Sequence, residues 1–386
     1  MADIRNIWHV SEYAEFIGGI EQNLFSLASS LKKKGYKQLL LCSNEHGEDE
    51  KFLNAFCGCF KTGVGESLDG ALKHGIPDVI VVQRPFGKRL LKSLRKIAPV
   101  VRVVHDHDLV CPRSHKYFPL TKKICKKPVG ISCYRHGCIV GRGNFLGLGF
   151  NSVNRRLEDI NEHKLLDKII INSNYMKEEL VLNGFDPNMI DVLAPLPASL
   201  DIAPKKYPKK SKRVLFVGQI IRGKGPDLLL NAMSKVKSDF ELVYIGQGNY
   251  MAELEKQVAN CGFADKVHLL GNLAHDEVVE QYSQANIVVV PSRWAEPFGM
   301  VGIEAMAAAR PVVAFRVGGI NDWLWHGVNG LAARNGETGL LSSHIEWLLG
   351  KPDIAEGLGL SGRKIFEKNY KYSDYILNFE RLLSSI

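Results

Sequence analysis

Glu296 and Glu304 flank a Phe-Gly turn within PSRWAEPFGMVGIEAMAAARPVV, residues 291–313, straight after the apolar run 285–290. A helix beginning at about Met300 carries Glu304 roughly one turn in, at 3.6 residues per turn. A carboxylate there can accept both hydroxyls of a ribose. Glu296, nearer the strand end, can accept hydroxyls of a second, smaller ring. The N–H groups of Phe298 and Gly299 between them suit a diphosphate at a helix N-terminus. Pro297, Met300 and Val301 belong to the same candidate binding stretch. The helix dipole alone would favour an acidic residue near a helix start. It does not account for the Glu-Pro-Phe-Gly turn.

Four other loops carry groups of the same kind. GQIIRGKG, residues 218–225, offers Arg222 and Lys224, which can neutralise a diphosphate without a metal. It lacks the Walker A spacing and is not GxGxxG; a solvated basic loop explains it equally well. Gly246 ends a strand in GQG, residues 246–248. Gly18-Gly19 before a helix lets backbone approach a phosphate, although a plain tight turn needs the same pair. HDHD, residues 105–108, puts His105 at a strand's carboxyl end, where open parallel sheets bind ligands.

These groups need elements to hold them. The chain has 386 residues, which sets two domains as the expectation. Its 45% hydrophobic and 24% charged composition is that of a globular protein. No apolar run is long enough to span a bilayer, and the start Met-Ala-Asp-Ile-Arg lacks a signal-peptide pattern. A cytoplasmic protein is expected. The net charge of +9 favours anionic partners, through basic clusters at 32–34, 122–127 and 205–213. None is interleaved with stacking aromatics, so no nucleic acid is expected. A peripheral contact with the inner membrane face stays open.

Apolar runs at 4–10, 36–43, 78–83, 100–105 and 168–171 read as strands, with helices at 21–33 and 175–182. After a Pro- and Lys-rich stretch the grammar restarts. Strands fall at 214–219, 241–248, 266–272, 285–292 and 310–315, with helices from 226 and across 300–308. The fold class is therefore α/β: two Rossmann-like, doubly wound parallel-sheet domains in tandem. The first spans 1–204 and the second 214–370. A linker occupies 205–213, and a last helix runs over 371–386.

A polar, basic, Cys-rich insertion at about 108–143 interrupts the first domain. Its Cys111, Cys125, Cys133 and Cys138 follow C-x13-C-x7-C-x4-C, with His115 and His136 nearby. That is not a standard zinc-finger spacing. A structural zinc site, disulfides and free thiols all remain open.

With these residues assembled, the chain resembles the family 4 retaining glycosyltransferases of the GT-B fold. EPFGMVGIE looks like that family's E-x7-E motif. The later EAMAAARPVVAFRVGG and VNGL, Ser292, GGIE in the first half and INSNYMKEEL also match. The resemblance implies that Glu296 touches the donor sugar and Glu304 the ribose. Gly19, Lys224 and the N–H groups of Phe298 and Gly299 would hold the diphosphate, and His105 would lie near the sugar. It implies an acceptor-binding first domain, a nucleotide-sugar-binding second domain and a last helix that returns to the first. The donor would be a nucleoside-diphosphate sugar of UDP or GDP type. The acceptor would be a glycan, a lipid-linked sugar or a small molecule, and no cofactor would be required. Two departures stand out. Gln219 occupies the usual Arg position, with Arg222 three residues later, and Asp322 replaces a common Glu. A nucleotide-sugar 2-epimerase and a non-catalytic sugar-nucleotide binder are the alternatives.

Overall fold

The computed structural model describes residues 4–43, 45–63, 67–86, 90–145, 148–194, 196–200 and 202–386, excluding the side chains of 142–145 and 148. The first residues of the leader reading above, Met1 to Asp3, lie outside these. The chain divides into two units, Met1–Ala198 with Tyr372–Ile386, and Ser199–Lys371.

In the first unit, apolar runs become β1 (Asn6–Val10), β2 (Lys37–Ser43), β3 (Gly58–Thr62), β4 (Val79–Val82) and β5 (Val100–Val104). A hairpin of β6 (Val140–Phe145) and β7 (Leu148–Phe150) precedes β8 (Lys168–Ile171) and β9 (Ile190–Val192). The main sheet has the order β3-β2-β1-β4-β5-β8-β9, with every pairing parallel. Its central strands are buried on both faces, which is why they read as unbroken apolar runs rather than alternating ones. The strand order reverses between β1 and β4, so loops leaving β1, β4 and β5 open at a switch point.

Helix Gly19–Lys33 follows β1 and buries Leu24, Leu27, Ala28 and Leu31. The last helix, Tyr372–Leu383, contacts this same unit: Tyr372 Oη donates to Ser26 O at 2.6 Å, and Lys34 Nζ lies 2.7 Å from Glu380.

The second unit is built on β10 (Arg213–Val217), β11 (Glu241–Ile245), β12 (Val267–Leu269), β13 (Ile287–Val290), β14 (Val312–Phe315) and β15 (Gly330–Ala333). Their order is β12-β11-β10-β13-β14-β15, again all parallel. The switch falls between β10 and β13, the strands that precede the 218–225 loop and the Glu-Pro-Phe-Gly turn.

The linker expected at 205–213 is instead part of the second unit. Tyr207 is buried and its hydroxyl donates to Asn286 O, while Arg310 binds the Lys205 and Lys206 carbonyls. Lysine content suggested a free linker, but one aromatic and a buried guanidinium anchor the segment. The unit boundary consequently lies at Ala198–Ser199 rather than near 204.

Candidate functional site

Glu296 sits just beyond β13 and is only 3% exposed. A carboxylate so buried needs partners, and it has three. Lys224 Nζ donates to both its oxygens at 2.8 Å, Ser292 Oγ donates to Oε1, and Trp294 Nε1 donates to Oε1 at 3.3 Å. The Lys224 ammonium also lies 5.8 Å from the Trp294 ring centroid, within cation–π range. The two basic-loop and carboxylate signals read separately in the sequence are thus one cluster.

The basic loop is held from below. Arg293 forms a two-pronged ion pair with Asp227, and its guanidinium donates to Arg222 O at 2.8 Å. Arg293 N donates to Gly223 O at 2.9 Å. Lys224 is therefore placed by backbone contacts rather than by its own length. Arg222 and Gln219 are both exposed. Gly246, with φ +127°, stands where a Cβ would lie 2.0 Å from Gly218 O, so only glycine lets the end of β11 pass this loop.

The Glu-Pro-Phe-Gly turn is fixed by the next loop. Gly319 N donates to Glu296 O at 2.7 Å, and Trp323 Nε1 donates to Phe298 O at 2.6 Å. Asp322 lies on the same short helix, Ile320–Trp323. Gly299 caps helix Met300–Ala307 in the left-handed region, φ +89°. Pro297, Met300 and Val301 are half-buried at the opening of that helix, whose first N–H groups lack intrahelical acceptors. Glu304 receives Tyr282 Oη at 2.6 Å on Oε2, and burial pushes its carboxyl up. Tyr282, Trp294, Trp323, Arg293 and Asp227 were not singled out from sequence. Tyr282 had no local signal, being 22 residues from the carboxylate it serves.

The remaining predicted residues belong to the first unit. Gly18 and Gly19 are exposed at the start of helix Gly19–Lys33, and a Cβ on Gly19 would meet nothing within 4 Å. His105 follows β5. Its Nε2 lies 2.7 Å from Gln83 Oε1, and its carbonyl accepts from Asn172 at 2.9 Å. Burial, with the Arg102 charge, lowers the imidazole to about 3, so it is neutral near pH 7. The same unit has a cavity of about 600 Å³ that Glu12, Arg84, Asp106, Phe150, Arg155 and Arg156 help to line.

Cys111, Cys125, Cys133 and Cys138 are buried free thiols. Among the described residues, no three or more His, Cys, Asp or Glu side chains are grouped as a metal site groups them. His136 is stacked on Phe118, with ring centroids 3.9 Å apart. No helix among the described residues is long and apolar enough to cross a membrane.

Comparison with known proteins agrees with this geometry. Residues 17–195 match the model of Glycosyltransferase Family 4, and residues 199–365 that of Glycosyl transferases group 1. The chain is 32% identical over 172 residues to an uncharacterized glycosyltransferase of Methanocaldococcus jannaschii, covering 45% of this chain and 48% of that protein. It is 35% identical over 196 residues to a D-inositol 3-phosphate glycosyltransferase of Rhodococcus jostii, covering 45% and 41%. The chain thus spans about half the length of these curated relatives. Anabaena HepE, solved in complex with UDP, superposes with a TM-score of 0.76 at 18% identity, over 99% of this chain and 100% of that one. A glycosyltransferase from Rickettsia africae gives 0.75 at 17% identity, over 100% and 99%. Two parallel-sheet units, a family model on each and structural likeness along the whole chain place this protein among the family 4 glycosyltransferases of the GT-B fold.

Proposed function

We propose that this chain transfers a sugar from a nucleoside-diphosphate sugar to an acceptor hydroxyl, with retention of anomeric configuration. The observation that carries the reading is the buried Glu296 with Lys224, Ser292 and Trp294 around it. Lys224 supplies a fixed positive charge next to a carboxylate that can accept sugar hydroxyls. As the glycosidic bond breaks, negative charge builds on the leaving diphosphate. The ammonium and the N–H groups at the start of helix Met300–Ala307 stabilise it there. Glu304, with one oxygen engaged by Tyr282, has the other for the ribose.

In the first unit, Gly19 leaves open space for a phosphate oxygen, and neutral His105 can hydrogen-bond a sugar hydroxyl but not donate as an imidazolium. The first unit's cavity suits a polyhydroxylated acceptor. Carboxylates and guanidiniums give paired hydrogen bonds to vicinal hydroxyls, and Phe150, 85% exposed, offers a flat apolar face. HepE crystallised with UDP and with UDP-glucose, which favours testing uridine donors first.

The test is a thermal-shift screen against UDP, GDP, ADP, TDP and their common sugars. Ligand at about 100 times Kd adds roughly 2.7 kcal/mol, so one nucleotide should stand out. Incubation of that donor with candidate acceptors, read by NMR of the product's anomeric proton, then tests retention. Turnover of the donor without any acceptor would point to an epimerase. Absence of any shift across the panel would defeat the transferase reading.

A further inference from the structure

The segment joining β5 to β6 differs in kind from the rest of the first unit. Across 105–139, its regular structure among the described residues is the short helix Ile131–Arg135 and an isolated bridge between Tyr117 and Ile124. It also holds Ser114, Lys116 and Lys122 at φ of +58°, +45° and +54°, a region that side chains other than glycine's seldom adopt. A connection this long and irregular is uncommon inside a compact unit. Segments with too little core and ladder of their own are held by covalent or metal staples.

Four thiols meet in it. Cys111, Cys125, Cys133 and Cys138 are 5–8% exposed and line one cavity of about 10 Å³, with Val110, Val129 and Lys116 among its other walls. A void of that size takes a single water-sized body. Neither His115 nor His136 lines it.

Charge is the second, independent observation. From Cys111 to Cys138 the sequence has seven Lys and Arg residues and no Asp or Glu. Lys116, 1% exposed, is matched by Glu179 at 2.7 Å; the other six have no acidic neighbour in the segment. Neutral thiols or disulfides would give this excess nothing to balance. Four thiolates around a divalent cation carry a net charge of −2, which a basic shell offsets.

We propose that the four thiols bind one soft divalent cation of the zinc type as a structural tetrathiolate. Each thiol releases its proton and donates an electron pair, so one M²⁺ and four R–SH give M(SR)₄²⁻ and four H⁺. The thiols are not yet gathered at ligand spacing. Binding must draw the sulfurs to ligand spacing, so metal binding and ordering of the insertion are coupled. A single-ion void selects one ion over an iron–sulfur cluster. The proposal is independent of the transfer reading.

The test uses the full chain purified under reductant without chelator. Elemental analysis should find about one zinc per chain, as a closed four-thiolate site holds. Mercurial titration of the thiols should release it. The double variant Cys125→Ser, Cys138→Ser should fall to background, while Cys42→Ser keeps its metal. Should the double variant fail to fold, cobalt exchange into the unmutated protein should give the thiolate-to-cobalt absorption of a tetrahedral site. No zinc after reconstitution overturns the proposal. So does iron with inorganic sulfide, or disulfides among these cysteines found by alkylation and mass spectrometry of the native chain.

Discussion

The two units differ in the electrostatics of their buried polar side chains. In the second, the groups are charged and paired: Lys224 with Glu296, Arg293 with Asp227. The first has paired charges too, Arg102 with Asp108 and Lys116 with Glu179, but it also buries imidazoles that are kept neutral. Burial lowers His9 and His163 to about 4, and His105 and His107 to about 3.

At His107 the Lys116 charge adds to the effect. His9 is held by Gln38 at 2.9 Å and His107 by Tyr175 at 3.0 Å, both uncharged partners. A paired charge can meet a charged ligand without titrating. A neutral imidazole meets hydroxyls and is lost to acid. The contrast is what the proposed function asks of a diphosphate donor on the second unit and a hydroxyl acceptor on the first.

The largest effect expected from this difference is an acid lability confined to the first unit. A histidine whose folded pKa is lowered contributes its full stability above the unfolded value of about 6.5. That contribution drains away as pH falls toward 3–4, at up to about 1.4 kcal/mol per pH unit for each buried imidazole. Asp106, raised to about 6 by burial and by Asp108, and Asp159, raised by burial, work the other way, but they are two groups against five lowered imidazoles, His115 being the fifth. In the second unit His344 is lowered too, while the raised Glu304 carboxyl favours acid. Hydrogen exchange by mass spectrometry at pH 7 and pH 5 should show β1, β4 and β5 losing protection well before β10, β13 and β14. Equal loss in both units would remove the electrostatic distinction.

Next in size is the charge pair itself. Under the proposed transfer, Lys224→Ala removes a donor to the developing charge and leaves Glu296 to Ser292 and Trp294. The loss of one preorganised donor to developing charge costs about 10²–10³ in rate, roughly 2.7–4 kcal/mol. The measurement is kcat/KM with the donor found in the screen, alongside Tm to separate catalysis from folding. A wild-type kcat/KM in Lys224→Ala would show that the pair is structural and that the diphosphate is held elsewhere.

The sequence made the sheets and the carboxylates legible for different reasons. Buried parallel strands are unbroken apolar runs, so β1, β5 and β13 stood out without any partner being known. Short strands of mixed composition did not: β3, GCFKT, alternates too weakly, and β15, GLAA, lacks β-branched residues. Helix Thr338–Leu349 was missed because its apolar residues do not mark a clean single stripe. At the candidate site, Glu296, Glu304 and Lys224 drew notice because each lies in or beside a glycine turn at a strand's carboxyl end. Their supports did not. Tyr282 and Trp323 act through contacts made only once strands and loops are folded together, and nothing local to either residue announces them. The segment 205–213 failed in the opposite sense: its lysines look solvated, and Tyr207 alone reveals that it is anchored.

Arg222 gives the smallest effect and the sharpest question about the basic loop. Its side chain is exposed, and the loop is positioned by contacts to its backbone carbonyl rather than to its guanidinium. Arg222→Ala should therefore leave the unfolding free energy within about 0.5 kcal/mol, as for ordinary surface changes. If the guanidinium supplies the charge that Gln219 does not, affinity for a nucleoside diphosphate should fall about tenfold, about 1.4 kcal/mol. Affinity for the nucleoside without phosphates should not change. Gln219→Arg in the Arg222→Ala background should then recover the loss, since both positions lie on the same loop. Calorimetric titration with diphosphate and nucleoside reads all three outcomes. Wild-type diphosphate affinity in Arg222→Ala would mean that Lys224 and backbone donors carry the phosphates alone, and the contrast between the units would rest on a single side-chain cation.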